Sequence, residues 1–113
     1  MASVGCFTSP SLGNSDSLFS LDAATGAAHW IYRTRFIEQF SDGPPYNDFG
    51  FLNGPLLVDA SDGAGSTRRL VIGAGKDGTV YAVDPVTGAL VWNYSLIPNP
   101  DFGGFGLFNA APA

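Results

Sequence analysis

Short runs of apolar and aromatic residues alternate along the chain with turn-forming residues, and one such pattern occurs twice. Residues 18–30 match residues 80–92 at a constant offset of 62 residues (92 − 30). Each copy is an apolar run, an Asp-x-x-Thr-Gly turn and a second run that ends in Trp. The glycine allows the left-handed backbone of a tight turn, and the Asp and Thr side chains can hydrogen-bond nearby backbone amides. Each copy therefore predicts a β-hairpin, with the motif formed by Asp22, Thr25, Gly26 and Trp30 and again by Asp84, Thr87, Gly88 and Trp92.

The remaining apolar runs extend the second hairpin into a unit of four strands. The four strands of this unit are predicted near Leu52–Asp59, Arg69–Ala74, Thr79–Asp84 and Leu90–Tyr94. Three more are predicted in the segment before it, near Ser3–Thr8, Ser17–Leu21 and His29–Arg33. No helical period is visible, and repeats of four antiparallel strands are typical of β-propeller blades. We therefore expect an all-β chain of two four-stranded antiparallel propeller blades.

The predicted blade boundaries do not coincide with the ends of the chain. Residues from about 3 to 35 supply strands two to four of one blade, about 50–96 a complete second blade, and about 105–113 the first strand of a following blade. This single two-blade unit would expose apolar edges, which favour pairing with another chain. The spare strand could complete the first blade of a second copy, a head-to-tail contact that can close into a ring. We expect a homo-oligomer of three or four copies, with six or eight blades.

Composition and charge narrow the classes of partner. Hydrophobic residues make up 45% of the chain and charged residues 13%, and the 15 glycines suit many short strands joined by tight turns. The net charge of −5, without a basic cluster, argues against binding of nucleic acid. No apolar run approaches the roughly 20 residues of a membrane span, and no signal peptide is visible. Cys6 and His29 are the single cysteine and histidine, so we expect no metal site built on them.

The pattern Asp-x-x-Thr-Gly-x-x-x-Trp, present twice in register, resembles the tryptophan-docking motif of the quinoprotein repeat. This family builds the eight-bladed propellers of dehydrogenases that use pyrroloquinoline quinone (PQQ), and the resemblance extends from about Ser17 to Ala113. It implies that each Trp lies between neighbouring blades, near the turn of the next motif. It also implies PQQ with Ca²⁺ as cofactors and a periplasmic location.

Two residues match positions that act on substrate or cofactor in the alcohol-oxidising members of this family. Asp48 precedes the predicted first strand of the complete blade, where the family carries its proposed base, although residues 46–49 replace the family's Trp-Asp-x-Asp pattern with Tyr-Asn-Asp-Phe. A carboxylate there could take the hydroxyl proton of an alcohol. Lys76 begins a Lys-x-Gly-x-x-Tyr-x-x-Asp pattern that matches the family, and the resemblance implies contact with the quinone oxygens. The alternatives are a turn or surface aspartate and a solvated hairpin lysine.

The N-terminal segment departs from the family. Active members carry a Gly-Thr-Gly-Asn-like stretch whose Asn helps to bind Ca²⁺, whereas residues 4–8 of this chain are Val-Gly-Cys-Phe-Thr. A hard cation needs several oxygen ligands, and the groups that enclose the quinone in the family belong to other blades. We therefore expect neither cofactor to be held by this chain alone.

Two functions remain open on the sequence. The first is a module that resembles part of a PQQ-dependent alcohol or sugar dehydrogenase, either a piece of a longer enzyme or a ring that oxidises an alcohol or sugar, and its independent activity is left open. The second is a non-catalytic oligomeric propeller scaffold that binds a partner or a small ligand through its loops and central opening.

Overall fold

In the computed structural model, the described residues (16–34, 50–51 and 53–96) form two antiparallel β-sheets. The first pairs β1 (Ser17–Leu21) with β2 (Ala28–Arg33). The second is a four-stranded meander in which each strand pairs with the next along the chain: β3 (Leu56–Ser61), β4 (Thr67–Ala74), β5 (Thr79–Val83) and β6 (Leu90–Ser95). The described part of the chain is all-β, as the sequence predicts, and it has the antiparallel sheets expected of propeller blades. It holds no helix with the length and apolar character needed to cross a membrane.

The strands differ from the predicted ones mainly at their ends. β3 begins at Leu56 rather than near Leu52, because Pro55 has no N–H to donate to a ladder. β4 begins at Thr67, two residues before the predicted start, because Thr67 pairs with Ser61 at the end of β3. The strands predicted near Ser3–Thr8 and at about 105–113 lie outside the described residues, so the blade boundaries and the ring stay predictions.

The two sequence repeats fold into hairpins with the same register. In β1–β2, Ser20 pairs with Trp30, and the register then shifts so that the next residue, Leu21, pairs with Ala28. In β5–β6, Ala82 pairs with Trp92 and Val83 with Leu90, which are the same positions 62 residues later (92 − 30). A register shift of this kind is a β-bulge, which increases the local twist of the ribbon. The repeat in the sequence is therefore a repeat in three dimensions, down to its irregularity.

The core lies where the first hairpin packs against the face of the larger sheet. Its buried members are Leu18 of β1 and Tyr81 and Val83 of β5, with Val83 wholly inaccessible to solvent. Trp30, Tyr32, Phe51 and Val71 pack around them. Full burial of a side chain of this size stabilises a fold by about 1.5–3 kcal/mol, so this small cluster holds the two sheets together.

Gly73 of β4 lets the two sheets approach closely. A Cβ atom at this position would lie 2.8 Å from Cδ2 of Leu18 and 3.0 Å from Cε1 of Phe51. Both distances are shorter than ordinary carbon–carbon contacts. The absence of a side chain at Gly73 is thus a packing requirement of the core.

Candidate functional site

The turn that carries Lys76 joins β4 to β5 and is hydrogen-bonded on several sides. The N–H of Gly75 donates to the carbonyl of Thr79 (2.9 Å), and that of Gly78 donates back to Gly75 (3.0 Å). The N–H of Leu96, just after β6, donates to the carbonyl of Gly78 (2.9 Å). Lys76 is half-buried in this frame. The backbone on both sides of Lys76 is therefore held by hydrogen bonds at this end of the sheet.

A buried carboxylate braces the same turn from inside. Asp77 is 1% exposed, and its Oδ1 accepts a hydrogen bond from the N–H of Thr79 (2.9 Å). Its Oδ2 accepts one from the hydroxyl of Tyr81 (2.6 Å). A buried polar side chain requires hydrogen-bond partners, because burying it unpaired is costly. Asp77 thus ties the Lys76 turn to the core through Tyr81.

Asp48 lies outside the described residues, but the segment that follows it is bonded to the Lys76 turn. The N–H of Lys76 donates to the carbonyl of Gly50 (3.0 Å), and Phe51 forms an antiparallel bridge with Gly75. One residue separates Asp48 from Gly50 in the sequence. Of the two predicted site residues, Lys76 lies at this end of the sheet, whereas the position of the Asp48 side chain stays a prediction.

The two motif turns have almost identical hydrogen bonds. Oδ1 of Asp22 accepts from the N–H of Ala24 (3.0 Å) and from the N–H and hydroxyl of Thr25 (both 2.7 Å). Oδ1 of Asp84 likewise accepts from the N–H of Val86 (2.9 Å) and from the N–H (3.0 Å) and the hydroxyl (3.2 Å) of Thr87. The side chains of Asp22 and Asp84 therefore stabilise their turns, which is the role that the sequence predicts for them.

The same hydrogen bonds favour the charged form of both aspartates. The hydroxyl of Thr25, followed by the backbone N–H groups of Thr25 and Ala24, lowers the pKa of Asp22 below its usual value. The backbone N–H groups of Thr87 and Val86 are the largest causes that lower the pKa of Asp84, and Arg68 contributes less. Both carboxylates are therefore ionised at neutral pH.

The tryptophan of the first repeat contacts the turn of the second. The indole N–H of Trp30 donates to the carbonyl oxygen of Pro85 (2.8 Å). Its ring covers Gly88, where a Cβ atom would lie 2.7 Å from Cδ2 and Cε3 of the indole. Gly88 has φ +72° and is buried beneath the ring. This contact joins the two sheets and brings together residues 55 positions apart in the sequence.

The described residues fit one part of the implied cofactor set. Lys76 is a half-buried basic residue on a hydrogen-bonded turn, which suits contact with quinone oxygens. Within residues 16–34, 50–51 and 53–96, no three His, Cys, Asp or Glu side chains come together in a way that could hold a metal ion. A calcium ion takes six to eight oxygen ligands, so no calcium chemistry is assigned to these residues.

Sequence reasoning missed the buried role of Asp77 and the part played by Gly73. The Asp77-Gly78 pair predicts a turn, but nothing local shows that the carboxylate faces inward. A Tyr four residues later, on the adjacent strand, was the available signal. Gly73 gave no signal, because the residues it accommodates are Leu18 and Phe51, far from it along the chain.

Comparison with known proteins finds similarity to segments of dehydrogenases. The chain is 28% identical over 119 residues to a polyvinylalcohol dehydrogenase of Sphingopyxis sp. (strain 113P3). The aligned segment covers 93% of this chain and 18% of that protein. It is 30% identical over 82 residues to a probable quinate dehydrogenase (quinone) of Xanthomonas campestris pv. juglandis (73% and 10%). It is 35% identical over 72 residues to a quinate/shikimate dehydrogenase (quinone) of Acinetobacter baylyi (64% and 8%).

These relatives are much longer than the chain, which spans less than a fifth of the length of each. No protein-family model matches it, and no solved structure matches it significantly. The all-β fold, the repeated hairpin and these similarities together support, at low identity, the resemblance of this chain to part of a quinone-dependent dehydrogenase.

Proposed function

We propose that the chain is a β-propeller module of the quinoprotein dehydrogenase type, in which the Lys76 turn contributes a cation to a quinone site that further blades complete. The observation that carries this proposal is the hydrogen bond from the Lys76 N–H to the Gly50 carbonyl (3.0 Å). Covalent geometry keeps residues two positions apart within about 7 Å of each other. The bond therefore supports a common location for Lys76 and Asp48, which the sequence matched to the family separately.

The two side chains would divide the work at this end of the sheet. The ammonium group of Lys76 would stabilise negative charge that develops on a bound oxygen. The carboxylate of Asp48 would hold the hydroxyl of an alcohol or sugar and accept its proton as the carbonyl product forms. When bound, PQQ would supply the acceptor for the hydride that leaves the alcohol carbon.

The relatives' names support an oxidation of hydroxyl compounds, since each is called a dehydrogenase of an alcohol polymer or of a hydroxylated acid. Because the chain spans only a small part of each, the remaining blades would come from other copies or from further protein. A periplasmic location is part of the same proposal and rests on the family resemblance.

A non-catalytic propeller scaffold is the second candidate, and a different observation favours it. Several large apolar side chains of the last strand and its end are exposed, among them Trp92 (40%), Tyr94 (64%) and Leu96 (57%). Exposed apolar groups clustered on one element are typical of an interaction surface. A scaffold would use such surfaces to assemble without using Lys76.

Quinone binding separates the two candidates. The chain as purified is titrated with PQQ in the presence of Ca²⁺ while its melting temperature is measured, and dye reduction is assayed with alcohols. Where other copies supply the remaining blades, the assembled dehydrogenase module is expected to melt at a higher temperature with PQQ, because a ligand that binds only the folded state stabilises it. Lys76→Gln should abolish the increase, and Asp48→Asn should keep it while lowering dye reduction by about 10²–10⁴-fold.

Arg68→Gln is the matched control, because it also removes one positive charge from β4 or its ends. Arg68 pairs with Asp84 (3.3 Å), and the strand between Arg68 and Lys76 is about 25 Å long. This variant should respond to PQQ as the unmodified chain does. An unmodified chain that binds no quinone and keeps its melting temperature would favour the scaffold instead.

A further inference from the structure

Trp30 docks on the turn of the second motif, and each partner in this contact has a counterpart in the other repeat that no described residue covers in the same way. Trp92 is the twin of Trp30, and Gly26 is the twin of Gly88, at the same offset of 62 residues (92 − 30 and 88 − 26). Trp92 is 40% exposed, whereas Trp30 is half-buried against Gly88. Gly26 has φ +74°, the same conformation as Gly88, but a Cβ atom there would meet none of the described residues within 4 Å.

The residues around these halves show the same difference. Tyr32 packs against the core beside Trp30, with its ring centroid 6.1 Å from that of Tyr81, whereas its twin Tyr94 is 64% exposed. Val83, beside the turn that Trp30 covers, is wholly buried, whereas its twin Leu21 is 46% exposed. We call Trp92 and Tyr94 of β6 the aromatic surface, which corresponds to the packed Trp30 and Tyr32 of β2. We call Leu21 and the Asp22–Gly26 turn the receiving surface, which corresponds to the turn that Trp30 covers in the second hairpin.

We propose that two copies of this chain associate head to tail, with Trp92 and Tyr94 of one copy docked on Leu21 and the Asp22–Gly26 turn of the next. The indole N–H of Trp92 donates to the carbonyl of Ala23, the twin of Pro85. The internal contact determines the geometry of this interface, because the hairpins share register, bulge and turn hydrogen bonds. The second copy is the occupant with the required chemistry, since it carries the one motif turn of the described residues whose glycine no indole covers.

This interface is heterologous, because the two partners use different surfaces. In a dimer of this kind each copy still has one of its two surfaces unused, so further copies can bind until a ring closes. Three or four copies give six or eight blades, within the usual range for propellers. The inference rests on described residues of the two hairpins and does not depend on the strand exchange predicted for residues 105–113 or on quinone binding.

Light scattering coupled to size-exclusion chromatography tests the proposal. The unmodified chain is expected to elute with three or four times the chain mass. Trp92→Ala and Leu21→Arg should each shift it to the monomer, because loss of a central Trp anchor weakens an interface by about 30-fold or more. Leu57→Ala is the matched control: Leu57 is 57% exposed on β3, outside both surfaces, and its loss should leave the mass unchanged. Circular dichroism establishes that each variant is folded.

Mixing the two variants identifies the orientation. Trp92→Ala keeps its receiving surface and Leu21→Arg keeps its aromatic surface, so an equimolar mixture should form a dimer and nothing larger. A symmetric contact between two Trp92 surfaces would instead leave Leu21→Arg associated, which would overturn the proposal. An unmodified chain that stays monomeric at about 100 μM would overturn it as well.

Discussion

Two glycines with the same backbone conformation have different surroundings, and this difference separates turn geometry from packing. Gly26 and Gly88 have φ values of +74° and +72° and follow the same Asp-x-x-Thr sequence. Gly88 alone lies beneath an indole ring, that of Trp30. The left-handed conformation explains why both positions are glycine, while the contact adds a second requirement at Gly88.

We predict that Gly88→Ala destabilises the fold more than Gly26→Ala does. Both variants incur the cost of a left-handed alanine, about 1–2 kcal/mol. At Gly88 the new methyl group also meets the indole at 2.7 Å, which adds about 1–3 kcal/mol of overpacking. Urea unfolding in a Trp92→Ala background, which removes self-association, measures the difference. Equal losses at the two positions would show that Trp30 does not press on the second turn.

Residues differ in how far the sequence reveals their roles. The Asp, Thr and Gly of each motif act within five residues of one another, so their turn was predictable from local chemistry. The acceptor of the Trp30 indole is a backbone carbonyl 55 residues away, and no side-chain pattern marks a carbonyl. Asp77 belongs to the same class, because its burial depends on the packing of Tyr81 in the core.

At the scale of elements, the hairpin is the unit of construction, and its turn carries a charge that responds to pH. Asp22 and Asp84 accept hydrogen bonds as carboxylates, and those bonds lower the pKa of each in the folded chain. A carboxyl group with a folded pKa below its unfolded value, about 3.9, stabilises the fold above that pH. The contribution is lost as the pH falls through the folded pKa.

We therefore predict that the melting temperature is nearly constant between about pH 7 and pH 5 and falls below about pH 4. Asp84→Asn keeps an oxygen that accepts the N–H bonds of Val86 and Thr87 but has no proton to bind in this range. The variant should be less stable than the unmodified chain at pH 7, and the gap should narrow in acid. Circular dichroism melts at pH 3, 5 and 7 measure both curves. Parallel curves would exclude a role for the Asp84 charge.

The sequence predicted which elements form more accurately than where they begin. Ser17–Leu21 is the same as predicted, since an apolar run and an Asp turn define both of its ends. The start of β4 depends on β3, because Thr67 becomes part of a strand only by pairing with Ser61. The bulge beside Trp30 and Trp92 was not predictable, because it reflects a mismatch in pairing rather than a residue type.

At the scale of the whole molecule, one close approach decides how the first hairpin packs against the larger sheet. Leu18, only 3% exposed, lies over Gly73, and Phe51 reaches the same point from the segment before β3. Close-packed interiors leave no room for an added methyl group unless a neighbour moves. The packing of the two sheets is thus sensitive to the addition of one carbon atom at Gly73.

We predict that Gly73→Ala lowers the free energy of unfolding by about 1–3 kcal/mol. The new methyl group would lie 2.8 Å from Cδ2 of Leu18, so the hairpin would have to shift or Leu18 would have to change rotamer. Gly54→Ala is the control, because a Cβ atom there meets none of the described residues within 4 Å. Leu18→Val in the Gly73→Ala chain should recover part of the loss in urea unfolding. A Gly73→Ala chain as stable as the Gly54→Ala chain would contradict this account of the packing.

The bond from the Trp30 indole to the Pro85 carbonyl has an evolutionary consequence. Every amino acid carries a main-chain carbonyl, so mutation can replace the residue that provides this acceptor without removing the acceptor itself. Apart from the turn glycine, the contact therefore constrains the distance from turn to tryptophan rather than the identity of the residue that supplies the carbonyl. A lineage of such repeats can diverge until pairwise comparison barely detects it, while the junction between neighbours stays the same.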